Sequence, residues 1–340
     1  MTPVRAHIAG VGHAVPPRVV TNAALTAFMD TSDEWIQQRS GIRERRWYRD
    51  GSREFTGEGS AALATAAALR AMESAGVPPE EIGALIYVTI SPDNEFPGSG
   101  GTVLAALGVP LTAPVYEVRN HCSGFLYGIL IGRTLIESGG PAHVLVIGVE
   151  VQSSGLNLST VGRNTAVLFG DGCGAVVLSA GASPRGIRQI MLESDGAFAG
   201  KLGVTCPSFA RPGPIVPGDY EGESPGAFPH MDGQLIFKLA STRMPEMVRR
   251  ITAGSGVELS ELALIVPHQA NQRILDMLGR ELGCPEKIFS NIERYGNTTG
   301  ASIPLALSEA VAAGRVRSGD TICLVSFGAG FSWGAALIRW

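Results

Sequence analysis

Charge is scarce in this chain, and so are long apolar runs. Of 340 residues, 17% are Asp, Glu, Lys or Arg and 45% are hydrophobic, against a usual charged share of about 25%. Low charge with a full apolar quota argues for a compact globule and against disorder. The purely apolar runs are nevertheless short, as at residues 144–147, and none approaches the roughly 18 residues of a membrane span. No membrane partner is therefore expected. The N-terminal MTPVRAHIAGVGHAVPP shows no secretory signal, which makes the cytoplasm the expected location. Twenty-seven Lys and Arg against 31 Asp and Glu give a net charge of −4, which argues against a nucleic-acid partner and leaves room for a local basic patch. Cysteine is limited to positions 122, 173, 206, 284 and 323. Five widely spaced thiols without a CxxC pair indicate neither a disulfide framework nor a zinc site, so no metal is expected.

Glycine is the abundant residue, 44 of 340, about twice its usual share of roughly 7%. Without a G-X-Y period this excludes collagen and implies sharp turns and close backbone approaches. Strand-like and helix-like runs alternate along the chain, the pattern of a layered α/β fold. Strands are predicted at residues 4–11, 84–90, 115–118, 144–149 and 174–178. A helix with the stripe Ala62, Ala66, Leu69 and Met72 ends at Gly76, and another carries Phe125, Ile129, Gly132 and Ile136. The second half repeats the order. EEIGALIYV (80–88) has a counterpart in SELALIVP (260–267), VLVIGVE (144–150) in TICLVSFG (321–328), and FGDGCGAVVL (169–178) in FGAGFSWGAALI (327–338). The length suits two related halves, taken as residues 1–180 and 181–340. Between them, the Pro- and Gly-rich residues 205–231 read as a long irregular loop, a candidate wall or lid for substrate.

Three segments offer chemistry. A short strand leads through Arg119, Asn120 and His121 into Cys122, and Ser123 and Gly124 then open a helix. A thiol at a helix N-terminus is expected to be favoured as thiolate, the nucleophilic form. The other four cysteines are read as small buried hydrophobes. His268 follows a strand at its C-terminal end, where open α/β sheets place ligands. Asn297 sits in the small-residue turn RYGNTTGASIP. A Cys with a His and an Asn admits a papain-like hydrolase, in which Asn orients a His that deprotonates Cys. It equally admits a carbon–carbon bond former, in which Cys carries an acyl group and His with Asn donates hydrogen bonds to a thioester oxygen. Spacing leaves both open.

The strings TSDEWIQQRSGIRERR (31–46), NHCSGFLYG (120–128), GRNTAVLFGDGCGAVVL (162–178), VPHQANQRILD (266–276), RYGNTTGASIPLAL (294–307) and FGAGFSWGAALIRW (327–340), in this order along nearly the whole chain, resemble β-ketoacyl-acyl carrier protein synthase III of the thiolase superfamily. The resemblance implies a five-layered αβαβα fold of two duplicated halves, a homodimer, and decarboxylative condensation of an acyl group from acyl-CoA with malonyl-acyl carrier protein. No permanently bound cofactor is implied. It makes Cys122 the acylated nucleophile and His268 with Asn297 the pair that binds the malonyl thioester. The backbone N–H groups of Cys122 and Ala329 become the oxyanion hole. It assigns CoA binding to Trp35, Arg39 and Arg163, carrier-protein docking to Lys238 and Arg273, and an acyl-pocket contact across the dimer to Phe96. His121, Cys173, Glu95, Tyr295 and the FGAG turn depart from the common fatty-acid pattern and make a secondary-metabolite synthase with a non-acetyl starter the alternative. A degradative thiolase would need a second catalytic Cys near the C-terminus, and FGAGF has none.

Overall fold

The computed structural model describes residues 4–49, 59–182, 184–205 and 226–340. Cys206 and most of the predicted loop, residues 206–225, lie outside the described residues. One sheet is built from β1 (Val4–Ala14), β2 (Ala84–Val88), β3 (Val115–Val118), β4 (His143–Glu150) and β5 (Gly172–Ala182), in the spatial order β1-β5-β4-β2-β3. A second is built from β6 (Gly186–Ser194), β7 (Leu262–Pro267), β8 (Thr321–Gly328) and β9 (Ser332–Arg339), in the order β7-β8-β9-β6. In each sheet the last strand in the chain lies antiparallel between an edge strand and the strand that precedes it, β4 in the first sheet and β8 in the second, and that strand pairs in parallel with the next one across the sheet. The first sheet adds β3 in parallel to β2, and at the matching edge of the second a single parallel bridge joins Ile265 to Ile288. The repeat seen in the strings is thus a repeat of strand order and direction.

Five main helices, α1 (Ser60–Ala75), α2 (Gly124–Glu137), α3 (Gly233–Gly254), α4 (Gln272–Leu282) and α5 (Ser302–Ala312), complete the layers. Because side chains alternate along a strand, β4 sends Val144 and Val146 to one face and Leu145, Ile147 and Val149 to the other, and all five are buried. The first set packs with Phe125 and Ile129 of α2, Ile303 and Leu307 of α5, and Leu264, Ile322 and Leu324 of the second sheet in one core. The second set packs on α1. Beyond the second sheet, Ile265, Cys323 and Val325 face Met247 and Ile251 of α3 and Ile274 and Leu278 of α4. The layers run α1, sheet, α2 with α5, sheet, α3 with α4. Each fully buried Val, Leu or Ile contributes roughly 1.5–3 kcal/mol, so strands covered on both faces carry much of the stability.

The stripe expected on α2 is the buried one: Phe125, Ile129, Gly132 and Ile136 all face the core. Of the stripe expected on α1, Met72 is buried and Ala66 half-buried, but Leu69 and Ala62 are exposed, and the buried face is Ala61, Ala64, Ala67, Ala68 and Ala71 with Leu63 and Met72. The reason is close approach. Any Cβ on Gly10 or Gly12 of β1 would collide with backbone atoms of Ala67, Ala71 and Ala75, so helix and strand touch nearly backbone to backbone and only small side chains fit between them.

Candidate active site

Cys122 lies in a one-turn 3-10 segment, His121–Ser123, that runs directly into α2. It is 7% exposed. The expectation that the helix start holds it as thiolate is corrected here: burial and then the nearby Glu150 carboxylate push the thiol up to about 12. Desolvation penalises the charged form more than the local N–H groups favour it. Two groups do pull it down, the backbone N–H of Ala329 and that of Cys122 itself. Two N–H groups from opposite halves of the chain therefore act on the same sulfur. The approach is tight: a Cβ on Gly328 would stand 2.5 Å from Cys122 Cβ and 3.2 Å from Sγ.

His268 follows β7 and is 1% exposed. Its N–H donates to the Val325 carbonyl of β8 at 2.8 Å, which anchors it to the strand leading into Gly328. Its Nδ1 stands 2.6 Å from Ser302 Oγ, and the Gln269 N–H approaches the same oxygen at 3.4 Å. Ser302 accepts from the backbone and keeps its one proton available for Nδ1; in the arrangement in which it donates there, Nε2 carries the hydrogen. Burial holds the imidazole down at about 3, so near neutral pH it is an uncharged donor.

Asn297 is also buried, with its backbone bolted to the FGDG turn: its N–H donates to Leu168 O at 2.7 Å and its carbonyl accepts from Gly170 N–H at 3.1 Å. Its Oδ1 accepts from Thr299 N–H at 2.8 Å. With that oxygen engaged, the free end is Nδ2, a donor. The same turn reaches the nucleophile loop, since a Cβ on Gly300 would stand 3.1 Å from the His121 carbonyl oxygen and 3.2 Å from Glu150 Oε1.

These bonds bear on the hydrolase reading. Nδ1 of His268 is held by Ser302 and Oδ1 of Asn297 by a backbone N–H, so Asn297 does not orient His268, and burial pushes the thiol up and the imidazole down, against an ion pair between them. Cys323 packs in the outer core of the second sheet, away from the middle layer. Ser302 and Glu150 are the residues that sequence reasoning missed. Ser302 stood in the quoted GASIP string without a role, and Glu150 ended a strand string.

Trp35, Arg39 and Arg163 come together at the surface. The guanidinium carbons of Arg39 and Arg163 lie 4.4 and 5.1 Å from the Trp35 ring centroid, a stack of two cations on one aromatic face system. Arg163 is also held by the Asp30 carbonyl at 2.6 Å. Asn271, which caps α4, donates to the Arg39 carbonyl at 2.9 Å, so this cluster adjoins the start of α4, where Arg273 lies. Arg273 stacks over Phe237 at 5.4 Å, beside exposed Lys238. Phe96 is 87% exposed. Of the departures, Glu95 pairs with Arg119 at 2.7 Å on the surface, and Tyr295 donates to Glu309 at 2.6 Å. Cys173 is a buried core residue. His121 has a positive φ of 48°, and its Nδ1 is buried without a hydrogen-bond partner among the described residues. No cluster of three or more His, Cys, Asp or Glu suited to a metal occurs among the described residues, and no described helix is long and apolar enough to cross a membrane.

Two family models match the chain: 3-oxoacyl-[acyl-carrier-protein (ACP)] synthase III over residues 116–196, and the C-terminal part of the same synthase over residues 253–340. The chain is 41% identical over 338 residues to a β-ketoacyl-[acyl-carrier-protein] synthase III of Rhizorhabdus wittichii, covering 99% of each. Among solved structures, 3-oxoacyl-[acyl-carrier-protein] synthase III from Aquifex aeolicus superposes with a TM-score of 0.87 at 36% identity, over 98% of this chain and 100% of that one. The priming β-ketosynthase of the R1128 polyketide pathway superposes with a TM-score of 0.86 at 32% identity, over 99% of this chain and 98% of that one.

Proposed function

The chain belongs to the β-ketoacyl-acyl carrier protein synthase III family, and on that premise we propose how its residues perform the family's reaction, the condensation of an acyl group from acyl-CoA with malonyl-acyl carrier protein that starts a fatty acid. It is an acyltransferase-type condensing enzyme. Trp35 offers adenine a π face and Arg39 and Arg163 offer cations to phosphates. Cys122 Sγ attacks the acyl thioester, the N–H groups of Cys122 and Ala329 hold the developing oxyanion, and the thiol proton leaves with CoA as its free thiol. Malonyl-acyl carrier protein then docks through Lys238 and Arg273. Loss of CO2 leaves an enolate whose oxygen accepts from His268 Nε2–H and Asn297 Nδ2–H. The carbanion attacks the Cys122 thioester, and the sulfur departs and regains a proton.

The observation that carries this reading is the pair of neutral donors. Ser302 engages Nδ1 of His268 and the Thr299 N–H engages Oδ1 of Asn297, which leaves His268 Nε2 and Asn297 Nδ2 as the ends for substrate, and a pair of neutral donors suits an enolate oxygen. Both half-reactions are accounted for by these side chains with acyl-CoA as substrate, without a resident cofactor or metal. We also assign a homodimer, supported by the exposed Phe96 and Leu111 beside the sheet edge at β3, a cytoplasmic location, and a division of the chain near residue 180. A second reading, a non-acetyl starter in secondary metabolism, is favoured by His121, next to the nucleophile in sequence, whose buried Nδ1 has no hydrogen-bond partner among the described residues and suits an acyl group carrying a polar atom.

Intact-protein mass spectrometry with a series of acyl-CoAs, followed by peptide mapping, tests the assignment. One acyl adduct on Cys122 is expected. A Cys122→Ala protein that still made β-ketoacyl product at the normal rate would end the reading.

A further inference from the structure

The oxyanion hole assigned above is assembled from two halves of the chain, so its geometry is only as good as their alignment. Cys122 follows β3, the edge strand of the first sheet, and Ala329 lies in the turn between β8 and β9 of the second. Two serines cross that boundary in opposite directions. Ser326 of β8 donates from Oγ to the Cys122 carbonyl at 2.9 Å. Ser123, the residue after the nucleophile, donates from Oγ to the Ser332 carbonyl at the start of β9, also at 2.9 Å. The two hydroxyl oxygens lie 3.3 Å apart. Each hydroxyl has one proton, and the two 2.9 Å bonds use both. Ser123 and Ser326 are fully buried, so neither bond competes with solvent. Ser332 closes the arrangement by donating from its own Oγ to the Ala329 carbonyl at 3.2 Å, which ties the far end of the crossing to the oxyanion donor.

From this geometry we infer that Ser123 and Ser326 are positioning residues that hold the nucleophile and the Ala329 N–H in register across the two halves. The inference rests on the reading of Cys122 as the acylated nucleophile. Both act through other groups and touch no reacting atom. The HCSG string thereby has a physical meaning: the serine after Cys122 is there because β8 presents a serine opposite it. Oxyanion donors act over a few tenths of an ångström, and a displacement of about 1 Å costs about a hundredfold in rate. The side chains of the enolate pair are fixed by other bonds, His268 Nδ1 by Ser302 and Asn297 Oδ1 by the Thr299 N–H, and the His268 N–H bond to the Val325 carbonyl beside Ser326 is backbone to backbone and survives loss of the Ser326 hydroxyl, so the two half-reactions should separate.

The test uses Ser326→Ala, Ser326→Cys and Ser123→Ala in the full chain, with folding checked by circular dichroism. Ser326→Cys keeps nearly the same volume and weakens the donor, so it remains informative if an alanine leaves the chain poorly folded. Acylation is read by rapid-quench mass spectrometry with acyl-CoA, and malonyl-acyl carrier protein decarboxylation by CO2 release. We expect the maximal acylation rate to fall about 10- to 100-fold, KM for acyl-CoA to stay within about threefold, and decarboxylation to stay within about threefold; Ser326→Thr, which keeps the hydroxyl, should recover most of the acylation rate. Acylation at the wild-type rate in the folded variants, or an equal fall in acylation and decarboxylation, would overturn the inference. Failure of the underlying reading is seen separately, as an acyl adduct away from Cys122 in the unaltered protein.

Discussion

Replacing Ser302 with alanine removes a hydroxyl that touches no substrate, yet it should cripple one half-reaction and spare the other. Its Oγ stands 2.6 Å from His268 Nδ1, and in the proposed reading its proton goes to Nδ1 and keeps the imidazole hydrogen on Nε2. Without it, Nδ1 is a buried nitrogen with no donor, and the ring can place its hydrogen on Nδ1, turning a bare lone pair toward the enolate oxygen. Leaving a buried polar atom unsatisfied costs about 1–3 kcal/mol, and losing an oxyanion-type donor outright costs about 2.7–4 kcal/mol. Because the correct tautomer remains accessible, the first range applies, and condensation should fall about 5- to 150-fold. His268→Ala, which removes the donor itself, should fall further, about 100- to 1000-fold. Acylation of Cys122 uses other donors and should change less than about threefold. Single-turnover kinetics separate the steps: acyl-enzyme formation by mass spectrometry, then product release on adding malonyl-acyl carrier protein to pre-acylated enzyme. A Ser302→Ala enzyme that condenses at the normal rate would refute the tautomer argument, and an equal loss in both steps would assign Ser302 to general packing instead.

Trp35→Ala should raise KM for acyl-CoA about 5- to 100-fold, the usual worth of one base stacked on an aromatic ring, with the maximal acylation rate little changed; an unchanged KM would remove the nucleotide from that surface. The double charge reversal Lys238→Glu with Arg273→Glu should raise KM for malonyl-acyl carrier protein most strongly at low salt and leave acylation by acyl-CoA untouched, and equal effects on both substrates would contradict a docking role. Acid sensitivity follows from His268: its folded value is about 3 against an ordinary 6.5, so the unfolded chain binds a proton the folded chain refuses, and stability drops as pH falls from 6.5 toward 3. Glu150, raised to about 7, and Asp171, raised to about 6, act in the opposite sense and lose stability as pH rises through those values. Urea denaturation of His268→Gln should therefore show a shallower loss below pH 6.5 than the wild type, by up to about 1.4 kcal/mol per pH unit, and parallel curves would mean that the buried imidazole accepts the proton.

The duplicated architecture was readable because each repeated string contains a whole strand and its Gly-rich turn, features that local patterning carries. The α2 stripe was readable because Phe125, Ile129, Gly132 and Ile136 recur at helical spacing. On α1 there was no contrast: alanine is apolar on every side, and which alanines are buried was decided by Gly10 and Gly12 on a strand some 50 residues earlier. The position of Cys122 at a helix start was legible, whereas its protonation was not. The helix dipole is a local property and the desolvation that outweighs it is a property of the folded middle layer. Ser302 was illegible in a similar way, because a serine opening a helix gains its role only when a histidine 34 residues away arrives beside it.

The direction of the two perturbed groups decides between the chemistries that Cys, His and Asn permit. A hydrolase of the papain kind rests as a thiolate–imidazolium pair, which requires the thiol to titrate below the imidazole. Here burial pushes the thiol up and the imidazole down, the order opposite to the one an ion pair needs. The resting thiol and imidazole are accordingly both uncharged near neutral pH. In the proposed reaction, charge develops on a bound thioester's oxygen, toward the N–H groups of Cys122 and Ala329 in acylation and toward His268 and Asn297 in condensation. Two such sets are needed because two oxygens in turn become negative. The duplicated fold provides for them by meeting at the middle layer, with the nucleophile loop entering from the first half and the β7 and β8 loops from the second.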